Sequence, residues 1–95
     1  MASFEFGETI ICNVEIRRQD NNQLYDPATS IKIDIWNPNG VQVVSAQTMN
    51  KDGVGLYHYD YNPAAGAVFG SYGVRYVAVD NLRTSIHRDT FSLHG

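Results

Sequence analysis

No window of ten or more residues in this sequence holds an apolar period near 3.6, while apolar residues recur at every second position in one short stretch after another. That alternation suits a pleated strand with one buried face, and a helix cannot use it. Turn formers separate the stretches: Gly7, Asp20-Asn21-Asn22, Asp26-Pro27, Asn37-Pro38-Asn39-Gly40, Asn50-Lys51-Asp52-Gly53, Asn62-Pro63, Gly66, Gly70 and Asp80-Asn81. Val, Ile, Tyr, Phe and Thr fill the intervals, and these residues fit a half-buried pleated surface. The chain reads as all-β.

Four segments alternate clearly. Ile10, Cys12, Val14 and Ile16 share a face in 9–17, and Ile31, Ile33 and Ile35 oppose Lys32, Asp34 and Trp36 in 30–36. Tyr57, Tyr59 and Tyr61 oppose Leu56, His58 and Asp60 in 56–61. In 72–80, Tyr72, Val74, Tyr76 and Ala78 oppose Gly73, Arg75, Val77 and Val79. Weaker strands are expected at 3–6, with Phe4 and Phe6 inward, at 41–48 after the Asn39-Gly40 turn, and at 82–93. In the last, Phe91 and Leu93 read as inward but Ile86 has the opposite parity, which a bulge would reconcile. Residues 18–29 read as a loop with Leu24 or Tyr25 tucked against the sheets. The expected core is Ile10, Cys12, Val14, Ile31, Ile33, Ile35, Tyr59, Tyr72, Val74, Tyr76 and Phe91.

With 95 residues the chain fits a single domain spanning 1–95. A domain of this size buries roughly two-thirds of the surface its unfolded chain exposes. A formal net charge of -3, with Lys+Arg 7 against Asp+Glu 10, gives no support to nucleic acid as a partner. No apolar run is long enough to cross a bilayer as a helix, so no membrane partner is expected. Residues 1–7 show neither a basic start nor an apolar stretch, so no secretory signal is expected. One cysteine, Cys12, excludes an internal disulfide and a Cys-rich zinc site.

About seven short strands joined by turns point to two antiparallel sheets packed face to face. Gly70-Ser71-Tyr72-Gly73-Val74 resembles the start of strand F in immunoglobulin-like folds. There a tyrosine two residues before an inward core position anchors a corner through a hydrogen bond to backbone. Cys12 falls at the inward position of strand B, with Val74 facing it, so no inter-sheet disulfide can form. The resemblance implies an immunoglobulin-like antiparallel β-sandwich of about seven strands without a disulfide. A wider resemblance rests on Phe6-Gly7-Glu8-Thr9-Ile10, Asp26-Pro27-Ala28-Thr29, Ile35-Trp36-Asn37-Pro38-Asn39-Gly40, Gly53-Val54-Gly55-Leu56-Tyr57-His58-Tyr59 and Gly70-Ser71-Tyr72. This order is similar to small structural and neck proteins of tailed bacteriophages and to macroglobulin-like modules of bacterial surface proteins. It implies a structural or binding module and carries no catalytic residue to this chain.

Candidate chemistry is sparse. His58 with Asp60, and His87 with Asp89, have the spacing of two metal-ligand pairs, but polar alternation on a solvated face explains them better. Asp20, Asn21, Asp26, Asn50 and Asp52 could offer oxygens to calcium, yet turns demand the same residue types and no EF-hand spacing is present. Ser45, Ser71, Ser85 and Cys12 sit in no nucleophile motif, and Cys12 reads as a small buried hydrophobe. Glu15, Asp34, Asp60 and Asp89 fall one per strand, as solvated charges do. The tyrosines could stack on sugars, but their parity places them in the core. No catalytic, cofactor or metal residue is expected.

What is left is a surface. In an immunoglobulin-like arrangement strand C lies between C′ and F, and the outward residues there would be Trp36, Val44, Arg75, Val77 and Val79. A solvated face should alternate to polar residues, so such a cluster reads as a protein interface, unless Leu24 and Tyr25 of the loop cover it. The expectation is a non-enzymatic structural or interaction module, a small virion component made in the cytoplasm and assembled there. Its expected partners are copies of itself, possible as a homo-oligomer, or other structural proteins. The alternative is a carbohydrate- or calcium-binding module at a bacterial cell surface.

Overall fold

The computed structural model describes residues 2–18 and 21–95. Eight strands follow in chain order: β1 (Ala2–Glu5), β2 (Ile10–Glu15), β3 (Ser30–Trp36), β4 (Gln42–Thr48), β5 (Asn50–Gly53), β6 (Leu56–Tyr61), β7 (Gly70–Asp80) and β8 (Arg83–His94). They form a five-stranded sheet, β1-β8-β7-β3-β4, and a three-stranded sheet, β2-β6-β5. Every pairing is antiparallel except β1 with β8, which is parallel. β7 is the central strand, β3 sits between it and the edge strand β4, and the first strand lies beside the last. This is an immunoglobulin-like β-sandwich without a disulfide.

The core lies between the sheets and is built from the predicted parity. Ile10, Cys12 and Ile16 meet Ile31, Ile33, Ile35, Tyr72, Val74, Tyr76 and Phe91 there, all buried. Val14 and Tyr59, expected inside, lie half-buried against it. Tyr72 stacks on Phe91 with ring centroids 4.9 Å apart, and its hydroxyl donates to the Val68 carbonyl at 2.6 Å. That bond fixes the chain four residues upstream and is the corner expected from Gly70-Ser71-Tyr72. Cys12 and Val74 line the same small cavity between the sheets.

The turn at Asn37-Pro38-Asn39-Gly40 closes as its residues dictate. The Asn37 side chain accepts from the amides of Asn39 and Val41 at 2.9 and 3.0 Å, and Gly40 takes a φ of 80°. Gly55, at φ 70°, joins β5 to β6 where a Cβ would stand 2.7 Å from the Ile16 carbonyl oxygen, so no other residue fits without moving backbone.

Three expectations change. Asn50-Lys51-Asp52-Gly53, read as a turn, is the short polar edge strand β5. Strand β8 pairs with β7 in one unbroken register from Arg83 to Leu93, so the bulge between Ile86 and Phe91 does not exist and Ile86 faces outward. Phe6 lies past the end of β1 and is exposed, edge-on to Phe69 at 6.0 Å.

Candidate interaction surface

The outer face of the five-stranded sheet is set by register. Trp36 of β3 lies opposite Gly73 of β7, Asp34 opposite Arg75, and Lys32 opposite Val77. Directly opposite residues of an antiparallel pair point to the same side, so these six share the outer face. The Arg75 guanidinium carbon stands 4.9 Å from the centroid of the Trp36 ring. Its Nε and Nη2 donate to Asp34 Oδ2 at 3.2 and 3.0 Å. A planar guanidinium can hold a carboxylate with its fork and an indole with its face at once, which a lysine cannot. Space above Gly73 is open, because a Cβ there would meet no atom within 4 Å.

Asp34 was expected to be a solvated charge, yet it is only 5% exposed. The reason is β4, whose pairing with β3 shifts twice, between Ile33 and Ile35 and again before Trp36. The irregularity puts Ala46 at φ 47°. Asp34 Oδ1 accepts from the Ala46 amide at 2.8 Å and from Gln42 Nε2 at 2.9 Å. With Arg75 on the second oxygen, the carboxylate is satisfied and covered. Bulges re-aim side chains in this way, and simple parity does not reveal them.

The same shift overturns the placement of Val44. It pairs with Ile35, is 6% exposed and belongs to the core, while its neighbour Val43 is exposed. Val77 and Val79 do face outward, opposite Ile86 and Thr84 of β8. Ile86, 54% exposed, extends the apolar patch. Arg88 lies opposite Arg75 on the same face. The patch is therefore Trp36, Arg75, Val77, Val79 and Ile86 over a buried Asp34. Ile86 was detectable in the strict alternation of Thr84, Ile86, Arg88 and Thr90, and Asp34 was not.

The loop after β2 is tied down elsewhere, and Trp36 is half-buried on its own sheet face. Leu24 bridges Arg17, the Tyr25 amide donates to the Ile16 carbonyl, and Tyr25 packs against the core. Further on, Ala28 and Thr29 bond Asp80 and Val79 at the far end of β7 from Trp36. Asp26 anchors the loop by accepting from the Gly55 amide at 2.9 Å, Tyr57 Oη at 2.8 Å and Lys51 Nζ at 2.7 Å. The Gly55 amide, followed by Lys51 and Tyr57, lowers the Asp26 pKa to about 2. Burial, followed by the hydrogen bond to Asp26, pushes Tyr57 up to about 12.

The other candidates do not converge. His58 and Asp60 are on β6 of the three-stranded sheet, and His87 and Asp89 are on β8 of the five-stranded one. His58 Nδ1 contacts Asp52 at 2.7 Å. Asn21 bonds the Gln23 amide, and Asp20 lies outside the described residues. Among the described residues no group of three His, Cys, Asp or Glu side chains is arranged to hold a metal ion. Cys12 is buried, and desolvation, followed by the charges of Asp89 and Asp60, pushes its thiol up to about 12. A thiol so held is a poor nucleophile. Comparison with known proteins finds no matching family model, no matching curated protein and no matching solved structure.

Proposed function

We propose that this chain is a non-enzymatic structural module that assembles with other copies of itself through the outer face of its five-stranded sheet. The observation that carries the reading is Trp36, which lies on an open face beside Val77, Val79 and Ile86 with its ring held by Arg75. Trp and Arg are enriched among the residues that dominate interface energies. Here both are fixed before any partner arrives, because Asp34 holds the guanidinium, and pre-ordering lowers the entropic cost of binding. The setting is that of a small virion component of a tailed phage or prophage, synthesised and assembled in the cytoplasm. The strand-and-turn layout from Phe6 to Tyr72 supports that setting, since modules of similar layout serve it.

Light scattering after size-exclusion chromatography over a concentration series tests the reading. Wild type is expected to rise above the mass of one chain as concentration increases, while Trp36→Ser and Val77→Thr remain monomeric and folded. A wild type that stays monomeric throughout the series contradicts it.

A further inference from the structure

The two outer faces of the sandwich carry opposite charge. On the five-stranded sheet Lys32 and Arg88 flank Arg75 and Val77, and neither makes an ion pair among the described residues. Two carboxylates share that face: Asp34 is buried and already engaged by Arg75, Gln42 and the Ala46 amide, and exposed Glu5 lies on the edge strand β1 opposite His94, away from the Trp36 patch. On the three-stranded sheet the outward residues include Glu15 of β2, Asp60 of β6 and Asp52 of β5. Glu15 is offset by Arg17 at 3.1 Å and Asp52 contacts His58, but Asp60 has only the His58 ring at 3.9 Å. That acidic face also exposes Ile11, at 54%, beside Asp60 in the β2–β6 pairing.

If two copies met through their five-stranded sheets, Lys32 and Arg88 of each would approach the same residues of the other. Asp34 could not answer them. Like charges brought together across an interface oppose association, whereas complementary faces favour it and set its orientation. Apart from Glu5 at the β1 edge, the exposed carboxylates that answer the cationic face lie on the opposite side of the same molecule, and a second copy in the same orientation presents them to the Trp36 patch.

Resting on the self-association proposed above, we infer that copies of this chain stack head to tail. The cationic face around Trp36 of one copy seats on the acidic face around Asp60 of the next. Each copy then keeps one donor face and one acceptor face free, so the assembly extends into a chain or closes into a ring.

Two paired substitutions at exposed positions separate this arrangement from face-to-face pairing. Lys32→Gln/Arg88→Gln removes the cationic half of the contact, and Glu15→Gln/Asp60→Asn removes the acidic half. Thermal melts close to wild type confirm that both fold. Head-to-tail stacking predicts that each variant alone stays monomeric at concentrations where wild type associates. Their equimolar mixture should give complexes with the mass of two chains and no larger species. Wild-type association should weaken as salt rises from about 0.01 M to about 1 M, which shortens the Debye length from ~30 Å to ~3 Å. Glu15→Gln/Asp60→Asn associating like wild type, with Lys32→Gln/Arg88→Gln associating more tightly, would overturn stacking and leave self-association through the Trp36 face intact. A mixture that stays monomeric would also overturn it. A monomeric wild type would instead remove the proposal on which this inference rests.

Discussion

Tyr72 shows how one side chain can serve packing and backbone geometry together. Its ring is stacked on Phe91 inside the core, and its hydroxyl reaches out to the Val68 carbonyl. Tyr72→Phe keeps the ring and strips the corner of its bond, so urea unfolding should show a loss of about 1–2 kcal/mol. An unchanged midpoint would mean that the corner is held by packing alone. Asp26 does comparable work for the loop, and its pKa gives a pH signature. The carboxylate falls from 3.8 to about 2 on folding, so the native state favours its charged form. The stability it contributes is present above pH 3.8 and is lost as pH falls through about 2. Asp26→Asn should therefore flatten the acid side of the melting-temperature profile in that window, with a small amplitude because the side chain is about a third exposed. Parallel acid limbs for wild type and variant would contradict the assigned contacts. Cys12, with its thiol buried and pushed up to about 12, should label with a thiol reagent slowly in the native protein and rapidly in denaturant. Immediate stoichiometric labelling of the native protein would place that face of β2 in solvent.

At the level of elements, legibility in the sequence followed how regular each strand is. β2, β3, β6 and β7 alternate in sequence between apolar or aromatic and other residues over much of their length, and their inward sets were readable because a one-residue slip exchanges the two faces. Ile33→Ala should cost about 2–5 kcal/mol in denaturant unfolding, since the side chain is fully buried, and Lys32→Ala should stay within about 0.5 kcal/mol. Equal effects would mean that the register of β3 is wrong. β4 was harder, because two register shifts against β3 break its period, drive Val44 inward and carry Ala46 over Asp34. No local residue preference announces such a shift, so parity misplaced Val44, and it placed Asp34 on the outer face without showing that β4 covers it. β5 was missed for another reason. Asn-Lys-Asp-Gly has turn composition, and it becomes a strand only because β6 offers it an edge across the tight turn at Gly55. Short charged edge strands are common because they discourage unwanted pairing. The candidate surface was legible in its centre, Trp36 with Arg75 and Val77, and illegible where it depended on the bulged strand.

For the whole molecule, the sandwich has two outer faces of different character. One holds a tryptophan and a guanidinium in fixed contact beside Val77 and Ile86, and the other is acidic. Their opposite charge links the proposed self-association to its direction, and the direction could fail while the self-association stands. Trp36 is the only tryptophan of the chain, so indole fluorescence comes from the proposed contact surface. Steady-state emission recorded along a dilution series, together with the mass from light scattering, tests the central claim most directly. Burial of the indole against a second copy predicts emission that moves to longer wavelength on dilution, in step with the fall in mass. Emission that stays constant while the mass falls would place the contact elsewhere on the molecule.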